Sequence, residues 1–385
     1  SNPRTDWQAL LEPHWANSLE RMRAHKVVLN IQDTTELDFN ARQTAGLGPL
    51  SYEAQRGMYL HPTYVISPER EPLGVLDAWM WAREPKDGHG HRPGMKESLR
   101  WIEGYERVAE RAKALPEVRQ VYVADREADI LALLVKARDL NHAADYLIRC
   151  QHNRALPQGD KLWARLAQAP VMGSVRFEMP AGRGRKARSV RQHIRVEQVQ
   201  ISDGAGGQLS VTCLLAEEVN APQGTKPVVW RLLSNRAVHT LEEAVELIDW
   251  YRARWEIEMF FLILKEGCRI EALQLGHIER IETALALYLV VAWRINRLMR
   301  LGRNLPELPA DLLFETDEWQ AAYILNKKPV PKTVPQLNAV VRLIARLGGF
   351  LCRKGDGEPG AKTLWLGLRD IAVFVEGARF ARRQL

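Results

Sequence analysis

Cysteine is scarce in this chain of 385 residues: there are four, at Cys150, Cys213, Cys268 and Cys352, with no C-x-x-C pair. So wide a spacing supports neither a disulfide framework nor a zinc site, and it fits reduced thiols in a cytosol. Long apolar runs are missing as well. The longest, Ala284–Trp293, falls well short of a bilayer span. No charged segment followed by an apolar one opens the chain, so a soluble intracellular protein is expected. There is no internal repeat and no initiator methionine. Ser1-Asn2 reads as a protease scar, which implies that an N-terminal piece precedes it.

What is present is an ordinary globular composition, 46% hydrophobic and 26% charged, long enough for two or three domains. The net charge of +7 is unevenly spread. Between Arg149 and Glu197 eleven Lys/Arg face three acids, a local charge of +8. Within it, "GRGRKAR" supplies Arg183, Arg185, Lys186 and Arg188 on a glycine-punctuated loop. A basic block on a balanced protein points to a polyanion, most often nucleic acid, against the plainer reading of a solvated loop.

Period-two alternation predicts a strand over Lys26–Phe39 with Val27, Leu29, Ile31 and Asp33 on one side. A hairpin follows at "GMYLHPTYVIS" and "PLGVLDAWMWA", then a helix over Lys96–Leu115 and a strand over Val118–Asp125. A second helix and a fifth strand, Asp145–Gln151, complete a mixed α/β sheet. The division expected is 1–154 for the first part of the core and 155–232 for a basic antiparallel insertion. Helices that complete the core follow over 233–307, and a mostly helical tail over 308–385.

Two strand-end aspartates, Asp33 and Asp125, continue apolar rows. A carboxylate there is costly unless it is paired or binds a metal. The apolar helix "YRARWEIEMFFLILKEG" adds a third acid, Glu258, and a polar stripe: at about 100° per residue Tyr251, Arg254, Glu258 and Lys265 fall within roughly 60°. Three carboxylates of this kind suit hard cations such as Mg²⁺ or Mn²⁺. Two ions about 4 Å apart would serve both ends of a phosphodiester displacement. Arg254 and Lys265 would then face phosphate, and Tyr251 could donate to it. The alternative is an internal ion-pair ladder, with Arg254 and Glu258 at i, i+4. Trp255 is expected in the core.

"DREADI" at Asp125–Ile130, together with Y-x2-R-x3-E-x6-K at Tyr251, Arg254, Glu258 and Lys265, resembles the insertion-sequence-four family of bacterial DDE transposases, the family of the Tn-five transposase. "IQDTT", "AEE" and "LGGFL" extend the likeness over nearly the whole chain. The resemblance implies a ribonuclease-H-like core with Asp33, Asp125 and Glu258 as metal ligands, and Tyr251, Arg254 and Lys265 on phosphates. It implies Arg149 at a DNA contact and Trp230 stacking on a flipped base, an interaction worth about 1–3 kcal/mol. Phe261 and Leu262 replace a polar and basic pair of the family.

It further implies magnesium-dependent cut-and-paste chemistry through a hairpin, double-stranded DNA as partner, a homodimer paired through the tail, and a place in the bacterial nucleoid. The family's N-terminal end-binding domain is not in this sequence, so end-specific binding should be weak. A structure-selective nuclease and a silent, dimerising inhibitor are the rival readings. No membrane and no nucleotide partner is expected. "GDGEPGAKT" breaks the phosphate-loop pattern at Ala361, and "HGH" (His89–His91) sits in a turn-rich linker.

Overall fold

The computed structural model describes residues 6–39, 44–179 and 186–384. After helix α1 (Trp7–Arg23) come strands β1 (Val27–Gln32), β2 (Thr35–Asp38), β3 (Gly48–Pro49), β4 (Arg56–Ile66) and β5 (Pro72–Trp81). Helix α2 (Leu99–Ala114), β6 (Arg119–Ala124), α3 (Leu131–Asp139) and β7 (Asp145–Arg149) follow, then α4 (Leu162–Gln168). Three strands succeed it, β8 (Gly173–Met179), β9 (Arg188–Ser202) and β10 (Gln208–Glu218), with β11 (Val229–Ser234) after them. The rest is helical: α5 (Leu241–Ala253), α6 (Trp255–Leu262), α7 (Ile278–Asn304), α8 (Thr316–Leu325), α9 (Leu337–Leu347) and α10 (Ala361–Gln384).

The eleven strands among the described residues join one sheet. β4 runs antiparallel to both β1 and β5, while β1, β6 and β7 are mutually parallel neighbours. That centre, with α2 and α3 as crossovers, is ribonuclease-H-like. Its strands are buried on both faces, as sheets covered by helices are. On the other flank β11 pairs antiparallel with β7, and β10, β9 and β8 extend the same sheet outward.

β1 and β2 form one line broken in the middle. Gln32 pairs with Thr63 and Thr35 with Leu60, so the register against β4 runs unbroken through Asp33 and Thr34. Opposite that gap lie His61 and Pro62, and proline has no N–H for the ladder. Thr34 turns its hydroxyl to the His61 Nδ1 at 2.8 Å instead, and His61 Nε2 meets Gln32 Oε1 at 3.2 Å. Burial holds His61 well down, to about 3, so the ring stays neutral.

The helical half packs under this sheet. The hydrophobic core runs from Leu29 and Ile31 through Phe260 and Leu264 to α7 and α9. Gly367 of α10 lies so near α9 that a Cβ there would sit 1.8 Å from the Ile344 carbonyl oxygen. Among the described residues, no helix is long and apolar enough to cross a membrane.

Candidate active site

The parallel register sets the site. Gln32 pairs with Ala124 and Ala124 with Ile148, so the next residues, Asp33, Asp125 and Arg149, form a row across the carboxyl ends of β1, β6 and β7. Open α/β sheets bind ligands at that edge. Each aspartate accepts a hydrogen bond from the backbone N–H that follows it, Thr34 N at 2.8 Å and Arg126 N at 2.7 Å. These bonds fix both carboxylates at the ends of their strands.

The crossing helix brings the third acid. It is not one helix, as the apolar run suggests, but α5, a break at Arg254, α6, and a π-helical turn over Ile263–Gly267 closed by Cys268 N to Ile263 O at 2.8 Å. Arg254, at the break, keeps helical backbone angles and points inward, its side chain buried. Its Nη1 donates to Asp33 Oδ2 at 2.5 Å and lies 3.8 Å from Glu258 Oε1. Tyr251 donates to Asp125 Oδ1 at 3.3 Å, and Arg149 Nη1 stands 3.9 Å from the same oxygen. The structure thus brings together Asp33, Asp125, Glu258, Tyr251, Arg254 and Arg149. Lys265, on the π turn, faces Glu271 at 4.0 Å.

Electrostatics show a surplus of negative charge. Burial pushes the Asp33 carboxyl up to about 6, Arg254 pulls against it, and Glu258 and Asp125 push it further. Arg254 is held above its usual range, burial opposing and Asp33 favouring its charge. Burial and then Asp125 raise the Tyr251 phenol to about 12, so it remains a donor. Two guanidiniums, Arg254 and Arg149, do not fully cancel three acids, and an all-oxygen donor set fits a hard divalent cation. As they stand, no three acidic, His or Cys side chains among the described residues are close enough to hold an ion. Arg254 lies between Asp33 and Glu258 and is the counter-charge of both.

The remaining candidates are placed as follows. Trp230, on β11, is half-buried, stacked on Phe177 at 5.6 Å and edge-on to Tyr251 at 6.4 Å. Sequence reasoning missed Phe177, whose only signal was its place in the apolar row of an alternating strand. Lys186 is exposed. Arg188 is no loop cation: it starts β9, and its guanidinium forks onto the buried Glu218, Nη2 to Oε2 at 2.9 Å. Arg183 and Arg185 lie outside the described residues. Trp255 corrects an expectation, because it is 64% exposed rather than buried in the core. With Met259 and Leu262 it forms the outer face of α6, which the apolar run disguised.

Two family models match the chain. The Transposase DDE domain covers residues 92–294, just over half of it, and the Transposase Tn5 dimerisation domain covers residues 290–384. Asp125 and Glu258 fall inside the first; Asp33 precedes it. Among solved structures, the chain is similar to one described as a piggyBac transposase synaptic complex with hairpin DNA. The identity is 10% and the TM-score 0.39, over 97% of this chain and 60% of that one, a likeness too slight to argue from.

Proposed function

This chain belongs to the DDE transposase family, and from that premise we propose that it catalyses cut-and-paste DNA transposition, as the insertion-sequence-four pattern of its motifs implies. The observation that supports this reading best is the row of Asp33 and Asp125 on adjacent parallel strands, with Glu258 linked to it through Arg254. The three carboxylates would hold Mg²⁺, or Mn²⁺ in its place, as a pair of ions. When bound, the ions supply Lewis acidity at the attacking and leaving oxygens of a phosphodiester.

The chain's own residues do the rest. Arg254 is the counter-charge of Asp33 and Glu258 in this state, and its fork can turn to a phosphate once their charge is otherwise met. Tyr251 and Arg149 steady the Asp125 carboxylate from the side of β11. Half-buried beside Tyr251 and stacked on Phe177, Trp230 is the ring on which an unstacked base could rest. Lys265 and the basic loop with Lys186 would hold backbone further out. In the proposed sequence a water nicks one strand, the freed 3′-hydroxyl attacks the opposite strand to close a hairpin, and a second water opens it. The 3′-hydroxyl then attacks target DNA.

We read residues 1–154 and 233–307 as the catalytic core and 155–232 as its basic insertion. The region from 308 would pair two copies in a synaptic complex, in line with the dimerisation match. The deciding experiment incubates the chain with plasmid DNA and Mn²⁺. Joined products support a transposase, cleavage without joining a nuclease. Subunit exchange with no cleavage would make it an inhibitor.

A further inference from the structure

Beside the two strand-end aspartates the surface drops into a cleft of about 470 Å³. The residues that directly follow them, Thr34 and Arg126, line it. Its wall is a stack of cations and rings from β4, β5, the segment just after β5, and α2. Arg83 lies 3.9 Å from the Tyr59 ring, Tyr59 stacks on Trp81 at 5.2 Å, and Arg100 lies 3.7 Å from the Trp81 ring.

The two outer arginines differ. Arg83 forks onto Glu97 at 2.5 and 2.6 Å. The Arg100 side chain has no hydrogen bond or ion pair among the described residues, although Glu97 and Glu103 are near enough to favour its charge, and its Nη1 is buried without an acceptor. A guanidinium fixed on an aromatic face with an unmet donor is costly unless something anionic comes to it. Most acids lining the cleft are already engaged. Glu97 is taken by Arg83, Asp129 by Arg154 and the N–H groups of Gln151 and His152, and Glu36 by Tyr59 and Ser51 N. Glu127 stands exposed at the rim, as does Arg126, which forms no ion pair among the described residues.

The geometry points to a phosphodiester site. Arg100, held against Trp81, takes a backbone phosphate of DNA one step along from the strand presented to Asp33 and Asp125, and Arg126 is a second contact at the mouth. Because arginines cover the outer faces of Tyr59 and Trp81, the cleft reads charge and not base identity. This inference rests on the transposase reading.

The test is fluorescence anisotropy of a labelled blunt duplex bearing single neutral methylphosphonates walked inward from one 3′ end. Arg100→Gln is expected to weaken binding about tenfold and to lower the salt slope by about one. At one position the neutral linkage should weaken the wild-type chain and leave the variant unaffected. A position at the 3′ end identifies the strand that is cut, an internal one target DNA. Equal affinity and slope in a folded variant overturn the proposal. If Arg100→Gln does not fold, Arg126→Gln decides: it should lose affinity at one phosphate, and additive losses everywhere overturn the site. If the wild-type chain binds no duplex at all, the transposase reading falls with it; if it binds and only the pairing is absent, this inference alone fails.

Discussion

Replacing Asp33 by Asn should stabilise the metal-free protein at alkaline pH. Asp33 is four-fifths buried as a side chain, and its carboxyl is raised from 3.8 to about 6. At about 1.4 kcal/mol per pH unit, that displacement is a penalty of roughly 3 kcal/mol once the group is ionised in the folded state. The sign follows from where each state releases its proton. Below about pH 4 both folded and unfolded chains keep it and there is no penalty. Between about 4 and 6 only the unfolded chain lets go, so stability falls as pH rises. Above about 6 the loss is complete.

Asparagine never ionises, yet it still accepts from Arg254, which keeps Glu258 within 3.8 Å. The gain expected at pH 8 is therefore about 1–3 kcal/mol, fading to nothing by about pH 4. Chemical denaturation of both forms across that range measures it. Mn²⁺ should close or reverse the gap: a ligand at a hundred times its Kd adds about 2.7 kcal/mol to the form that binds it. Wild type should gain from the ion and Asp33→Asn much less. If the variant is the less stable form at pH 8 and wild type ignores Mn²⁺, then Asp33–Arg254 is a structural ion pair and the reasoning fails.

Glu258→Gln and Asp125→Asn should each lower Mn²⁺-dependent DNA nicking by more than about 100-fold, since outer-shell changes alone cost about 10–100-fold; duplex binding in the same samples should persist. Asp129→Ala leaves Arg154 facing an empty buried site and should cost about 3–5 kcal/mol in urea unfolding, seen as a lower midpoint. Trp255→Ala, on an exposed face, should change stability by less than about 0.5 kcal/mol. In Gly104→Ala the new Cβ would meet the Gln32 amide at 2.0 Å, and Gln32 cannot retreat without releasing Thr63 and His61. A loss of about 1–3 kcal/mol in thermal or denaturant unfolding is expected there.

The strands and the acidic row were legible because period-two alternation is a local signal, and it carried Asp33 and Asp125 to the ends of apolar rows. That the rows are neighbours was not, since pairing between β1 and β6 joins residues far apart in sequence. The polar stripe was legible only in part. A straight helix aligns four residues, but the break at Arg254 and the π turn divide it, leaving Lys265 with Glu271. Helix α4 was hidden because its seven residues are too few for a period to register. Arg188 shows a further limit: charge counts do not reveal that a cation is already engaged by a buried Glu218.

The shared register of β1 and β2 makes the sheet a ruler for Asp33. Pairing with β4 counts to it from both sides, so a single inserted or deleted residue between Val27 and Asp38 would have to move the carboxylate off the edge or turn β2 inside out. Point substitutions in this stretch can be absorbed by packing. Changes of length cannot, so an insertion or deletion between Val27 and Asp38 should displace the carboxylate where a substitution at the same position would not.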